Sequence, residues 1–222
     1  MNCRVKSIVG LALVLALLSS CSGGEHDTDK QSESAHSQHE SMQMSSAGAL
    51  SGQSVYQLNS AWTNQQGEQI TLNSFAGKVV VLAMVYTHCD YACPRIIADM
   101  RLIREALKNK AGQISFVLVS IDTKRDTVER LKRFGEETGL TKQGWTLLRG
   151  GDADIRELAA VFGVQYRQTS DTDFAHSNII TVLDQQGEIR HQQEGLGLRS
   201  DATVTATRKL LCYSHNGRTI NC

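Results

Sequence analysis

Residues 51–222 of this 222-residue chain predict one α/β domain, a central mixed sheet flanked by helices, and three observations carry that prediction. Val79-Val80-Val81-Leu82-Ala83-Met84-Val85-Tyr86 is a nearly uninterrupted apolar run rich in β-branched residues, as expected of a strand buried on both faces of a sheet. Segments with helical spacing alternate with strand-like runs along the chain, the order of layered α/β architectures. The length suits a single core, and no internal repeat is visible.

Each element has a local reason. Val55-Tyr56-Gln57-Leu58 and Gln69-Ile70-Thr71-Leu72 read as a first hairpin joined through Asn64-Gln65-Gln66-Gly67, and the buried strand 79–86 follows. Pro94 can open a helix as its first residue, and Ile96, Ile97, Met100, Ile103 and Leu107 then recur at helical spacing up to Asn109. Ile114 to Ile121 is a second apolar strand. Asp126-Thr127-Val128-Glu129 has a capping-box pattern for a helix reaching about Thr138, with Asp126 as the expected cap, and Asp152 opens a third helix through Phe162. Ile179–Leu183 and Glu188–Gln192 form strands about a turn at Asp184-Gln185-Gln186-Gly187, and Asp201–Leu211 closes the domain as a helix. Strand–helix–strand, then helix, then a terminal hairpin and helix is the order of a thioredoxin-like fold.

The residues with chemistry cluster where the buried strand ends. Cys89 and Cys93 sit in the strand-to-helix turn, where free backbone N–H groups and the positive end of the helix dipole favour thiolate over thiol. His176 stands just before the next strand. Two thiolates and an imidazole make a soft three-donor set that suits Cu(I) and can hold Cu(II), whereas magnesium or calcium needs oxygen donors. Other readings of the same residues are a structural Cys89–Cys93 disulfide and a hydrogen-bonded histidine. His88 points away if Cys89 points inward, which makes it a non-ligand. Asp122, at a strand end, orients the following loop.

The chain termini bear on location. Residues 1–20 have the pattern of a signal peptide, with Arg4 and Lys6 ahead of an apolar stretch from Ile8 to Leu18 that is short for a membrane span. Leu18-Ser19-Ser20-Cys21 resembles a bacterial lipobox, so Cys21 is the expected lipidation site; an ordinary signal peptide with a chance cysteine is the alternative. The expected location is the periplasmic side of a bacterial cell envelope, and Ser22 leans toward the outer membrane. Residues 21–50 are rich in Ser, Gln, Glu and His and too poor in aliphatic residues to fold. They read as a tether, either plain or able to gather copper through His26, His36, His39, Met42 and Met44. Removal of Arg4 and Lys6 from 23 basic residues leaves 21 against 23 acidic ones, a balance that suggests no nucleic-acid partner. Cys212 and Cys222 flank a polar, glycine-containing stretch and read as a structural disulfide, the alternative being a second metal or redox site with His215.

The motif Tyr86-Thr87-His88-Cys89-x3-Cys93-Pro94, the strand end Val119-Ser120-Ile121-Asp122 leading to Arg125-Asp126-Thr127, and His176-Ser177 before Ile179-Ile180-Thr181-Val182-Leu183-Asp184-x2-Gly187 together resemble the Sco (SenC/PrrC) family of thioredoxin-like copper proteins. The resemblance spans most of 50–195. It implies copper bound by Cys89, Cys93 and His176, and a metallochaperone, rather than an enzyme, that delivers copper to, or keeps reduced, a client site such as copper A of cytochrome c oxidase or that of another copper enzyme; a monomer is expected. Thioredoxin-like reductases carry a cis-proline where the chain approaches the dithiol; here Pro94 is the only proline, and His176 occupies that approach. Departures from the family pattern are Asp90 after the first cysteine, Thr123 in place of a usual proline, and Ala175 before the histidine, where an acidic outer partner for His176 is common. The competing function is a thiol-disulfide oxidoreductase using Cys89 and Cys93 as a redox dithiol. A peroxidase of the peroxiredoxin type is more distant.

Overall fold

The computed structural model describes residues 53–212. In chain order its strands are β1 (Trp62–Asn64), β2 (Gln69–Ile70), β3 (Val79–Val85), β4 (Ile114–Ser120), β5 (Thr146–Gly150), β6 (Tyr166–Gln168), β7 (Phe174–His176), β8 (Ile179–Leu183) and β9 (Ile189–Glu194). The helices are α1 (Ala92–Ala106), α2 (Val128–Glu137), α3 (Asp152–Phe162) and α4 (Asp201–Leu211). Seven strands make one mixed sheet in the order β2-β1-β5-β4-β3-β8-β9, and β6 and β7 pair as a separate antiparallel ribbon. Pairing is parallel for β3–β4 and β4–β5 and antiparallel elsewhere. Every residue of β3 is buried, which is why its sequence does not alternate. The mixed sheet with flanking helices is the predicted fold class.

Helix limits follow local chemistry. Thr127 caps α2, its side chain accepting from the Arg130 amide, and Glu129 lies in the first turn. Asp152 and Asp154 occupy the first turn of α3, which ends at Gly163 in the left-handed conformation. Helices α1 and α4 lie together, joined by a hydrogen bond from Arg208 Nη2 to the Ala106 carbonyl (3.1 Å). At the other edge, Trp62 is fully buried against Gly150, where a Cβ would approach the indole to 2.7 Å.

The structure corrects several expectations. Val55–Gln57 is a 3-10 turn, not a strand: the Ser54 side chain accepts from Tyr56 N and the Val55 amide is tied to Gly187 O at 3.0 Å, leaving Trp62–Asn64 as the first arm of the hairpin. Helix α1 begins at Ala92, so Pro94 is its third residue, still within the first turn, whose amides have no intrahelical acceptor. The chain beyond Leu107 tightens into a 3-10 segment, Lys108–Gln113. Asp126 is not the cap of α2. Strands β5, β6 and β7 had no counterpart in the sequence analysis. The signal segment 1–20, Cys21, the tether 21–50, His215 and Cys222 lie outside the described residues, while Cys212, just beyond α4, is disulfide-bonded.

Candidate metal centre

Antiparallel pairing of β3 with β8 brings together residues far apart in sequence. Ala83 is opposite Ile180, so the chain entering β8 lies at the end of the sheet where β3 runs out toward the cysteines. Strand β7 delivers His176 there, and Ser177 N, bonded to Gln165 O at 2.8 Å, fixes the exit of the β6–β7 ribbon. Cys89 Sγ, Cys93 Sγ and a ring nitrogen of His176 all lie within 4.8 Å of one another.

The two sulfurs differ. Cys93 is buried in the first turn of α1 and its amide donates to Cys89 Sγ at 3.3 Å, so the half-exposed Cys89 sulfur takes an acceptor place at the helix N-terminus. Hydrogen bonding from the Cys93 thiol, together with the amides of Cys93 and Tyr91 and the Tyr86 hydroxyl, outweighs burial and holds the Cys89 thiol far below its ordinary value, at about 4. Cys93 is pushed up by its bond to Cys89 and by burial. The pair therefore shares one proton, Cys89 as thiolate and Cys93 as thiol.

His176 presents its lone pair to this dithiol. Its Nδ1 is 2.9 Å from Ser177 O. A carbonyl only accepts, so Nδ1 carries the proton and Nε2, 3.9 Å from Cys93 Sγ, is free to coordinate. The Ser177 carbonyl thus does the orienting that an acidic neighbour at the position of Ala175 would do. In a trigonal site with metal–sulfur and metal–nitrogen bonds of about 2.3 and 2.1 Å, sulfur and nitrogen stand about 3.8 Å apart. The donors are therefore spaced to close on one soft ion with little movement.

Around the donors, sequence reasoning missed two residues and misjudged a third. Tyr86 packs edge-on against Phe174 (centroids 5.3 Å apart) and His176 (5.9 Å); it read as the last residue of an apolar strand, and only the fold puts its ring against the ribbon. Phe174 lies in a three-residue strand, too short to carry a periodic signal. Asp126 is fully buried and accepts from the Thr87 amide (3.0 Å), Thr87 Oγ1 and Ser120 Oγ (2.5 Å each). His88 is exposed, its Nδ1 3.6 Å from Asp126 Oδ1, and it stands apart from the Cys89–Cys93–His176 group. Asp122 accepts from the Lys124 and Arg125 amides and pairs with the Arg125 side chain, ordering the loop after β4.

Comparison with known proteins supplies the chain's relatives. The SCO1 protein homolog of Bacillus subtilis is 29% identical over 97 residues, which cover 43% of this chain and 50% of that relative; a mitochondrial SCO1 homolog of Arabidopsis thaliana is 27% identical over 108 residues, 48% of this chain and 31% of the relative. The chain thus spans half or less of the length of these two relatives. Among solved structures, a SCO1/SenC family lipoprotein from Bacillus anthracis superposes with a TM-score of 0.63 at 24% identity, covering 73% of this chain and 99% of that one. Arabidopsis thaliana ScoI with copper bound gives 0.60 at 21% identity, covering 67% and 96%. At these identities the structures establish the shared thioredoxin-like fold. The SCO1/SenC family model matches residues 50–211, which include the whole sheet and all three donors, and on that match the chain belongs to the SCO1/SenC family.

Proposed function

We propose that the protein is a copper metallochaperone whose cargo is held by Cys89, Cys93 and His176. The observation that carries this reading is the convergence of two sulfurs and an imidazole nitrogen within 4.8 Å, with Nε2 the unprotonated nitrogen. Copper-bound family structures from Arabidopsis thaliana and Bradyrhizobium japonicum support the choice of metal. The set suits Cu(I) through its sulfurs and Cu(II) through the added nitrogen. Binding displaces the one proton that the dithiol retains, on Cys93. The half-exposed Cys89 is the sulfur a client's thiolate reaches first. The client of this reading is a protein with a cysteine-containing copper site, such as copper A of cytochrome c oxidase; a solved relative, BsSco, is described as a member of the Sco family of cytochrome c oxidase assembly proteins.

The second reading is disulfide reduction, favoured by the contrast between a low Cys89 and a high Cys93. Cys89 thiolate would attack a client disulfide and release one client thiolate. Cys93, losing its proton, would then attack Cys89 Sγ, releasing the second client thiolate and leaving a Cys89–Cys93 disulfide, with two electrons passed to the client.

Chelator competition separates the two. Reduced protein should bind about one Cu(I) per domain, and His176→Ala should weaken Cu(I) and, more strongly, Cu(II), because a nitrogen donor is lost from the set. Unchanged affinity in His176→Ala, with an unchanged Cys89–Cys93 reduction potential, would leave the oxidoreductase.

On location, the reading is a lipid anchor at Cys21 on the periplasmic side of the envelope, with residues 21–50 as tether. The Bacillus anthracis relative is described as a lipoprotein, and among the described residues no helix is long and apolar enough to cross a membrane. Mass mapping of membrane-extracted protein under non-reducing conditions should find lipid on Cys21 and a Cys212–Cys222 crosslink. An unmodified Cys21, or a Cys212 joined elsewhere, would remove the corresponding assignment.

A further inference from the structure

The β6–β7 ribbon carries His176, yet little fixes it. Its strands hydrogen-bond to each other and not to the main sheet, over three residue pairs, and Arg167, Gln168 and Ala175 are exposed. A two-stranded ribbon of this size has no independent stability. Its attachments are therefore what set the position of the imidazole.

Tyr86 supplies one of these at the place that matters. Its ring is 4% exposed and meets both Phe174 and His176 edge-on. Its hydroxyl lies 3.4 Å from the Phe174 amide, from which it accepts, and 3.4 Å from the Phe174 carbonyl, to which it can donate. The hydroxyl has one proton, so it donates either to that carbonyl or to the Cys89 sulfur. Residue 86 thus touches the ribbon two positions before the histidine, the histidine ring itself, and one sulfur. We propose that Tyr86 is a positioning residue that pins the β6–β7 ribbon to the end of β3 and so places His176 over the dithiol before metal arrives.

This rests on the copper reading for its functional meaning, but the pin is a property of the metal-free protein. Ribbon and strand come from segments separated by 88 residues in sequence, Tyr86 and Phe174, so without a fixed contact the third donor would be ordered only by the metal. Ordering it beforehand removes that cost from binding.

Tyr86→Phe keeps the ring and deletes the hydroxyl, so the fold is preserved while the contacts to Phe174 and the bond to Cys89 are lost. In reduced, metal-free, full-length protein, hydrogen exchange at the Phe174 amide should accelerate relative to wild type while exchange in β3 and β4 stays unchanged. Cu(I) affinity should fall by about 10-fold or more, within the range for outer-shell partners of metal ligands. The loss should be larger with His176 present than in the His176→Ala background, where only the deleted bond to Cys89 is left to act. An equal loss with and without His176, or unchanged exchange at Phe174, would overturn the proposal. If His176→Ala alone left copper affinity unaltered, the copper reading would fall, and exchange at Phe174 would still decide whether Tyr86 pins the ribbon.

Discussion

Asp126→Ala should lower the stability of the domain by about 3 kcal/mol or more, since leaving a buried donor unsatisfied costs about 1–3 kcal/mol each and this change orphans several. The carboxylate, fully buried, accepts from the Thr87 amide, Thr87 Oγ1 and Ser120 Oγ. Thr87 is in turn held by Arg130, through Nε to Oγ1 at 2.8 Å and Nη2 to the carbonyl at 2.9 Å. The network joins the ends of β3 and β4 to α2 two residues before Cys89, so its loss should also disturb the cysteine turn. Asp126→Asn keeps the shape and one acceptor oxygen and should cost less. Urea unfolding reads the difference as a lower midpoint at unchanged slope. A midpoint close to wild type in Asp126→Ala would mean that water replaces the carboxylate and that the network is not structural.

Alkylation of Cys89 should be nearly independent of pH between 8 and 5, a range over which an ordinary thiol near 8.5 loses about a thousand-fold of its thiolate. The sign follows from the direction of the shift. With the thiol lowered to about 4, the thiolate persists through this range and is lost only as the pH falls through that value. The absolute rate should be modest, because nucleophilicity falls with basicity. Cys93, buried and shifted upward, should stay unmodified over the same range. In Cys93→Ala the leading hydrogen bond to the thiolate is gone, so the break in the profile should move up toward the ordinary thiol range. Timed alkylation of metal-free, reduced protein followed by peptide mass mapping measures both. A wild-type profile that falls steadily from pH 8 downward would show that Cys93 does not stabilise the Cys89 thiolate.

The local sequence determined those parts of the protein whose reasons are local. The β-branched run at 79–85 specifies a strand buried on both faces. The acidic first turn at Asp152 and the glycine at 163 bound a helix the structure places at Asp152–Phe162, and Asp184-Gln185-Gln186-Gly187 specifies a turn, with Gly187 at φ 81°. The Cys-x3-Cys spacing with a histidine ahead of the next strand singled out the three side chains that the fold gathers within 4.8 Å. The tertiary structure decided what depends on partners distant in the chain. Thr146–Gly150 is a strand because β4 and β1 flank it, and residues 166–168 and 174–176 are strands because they pair with each other; such short segments have too few residues for periodicity to speak. Val55 to Gln57 is β-prone but is taken up by Ser54 and by the turn at Gly187. Asp126 has the pattern of a cap, yet a buried carboxylate bonds whichever donors the fold surrounds it with, here Thr87 and Ser120. The placement of His176 Nε2 beside Cys93 and of Tyr86 against the ribbon arises the same way, because contacts across 83 or 88 residues are fixed by strand pairing and leave no mark on the local pattern of residues.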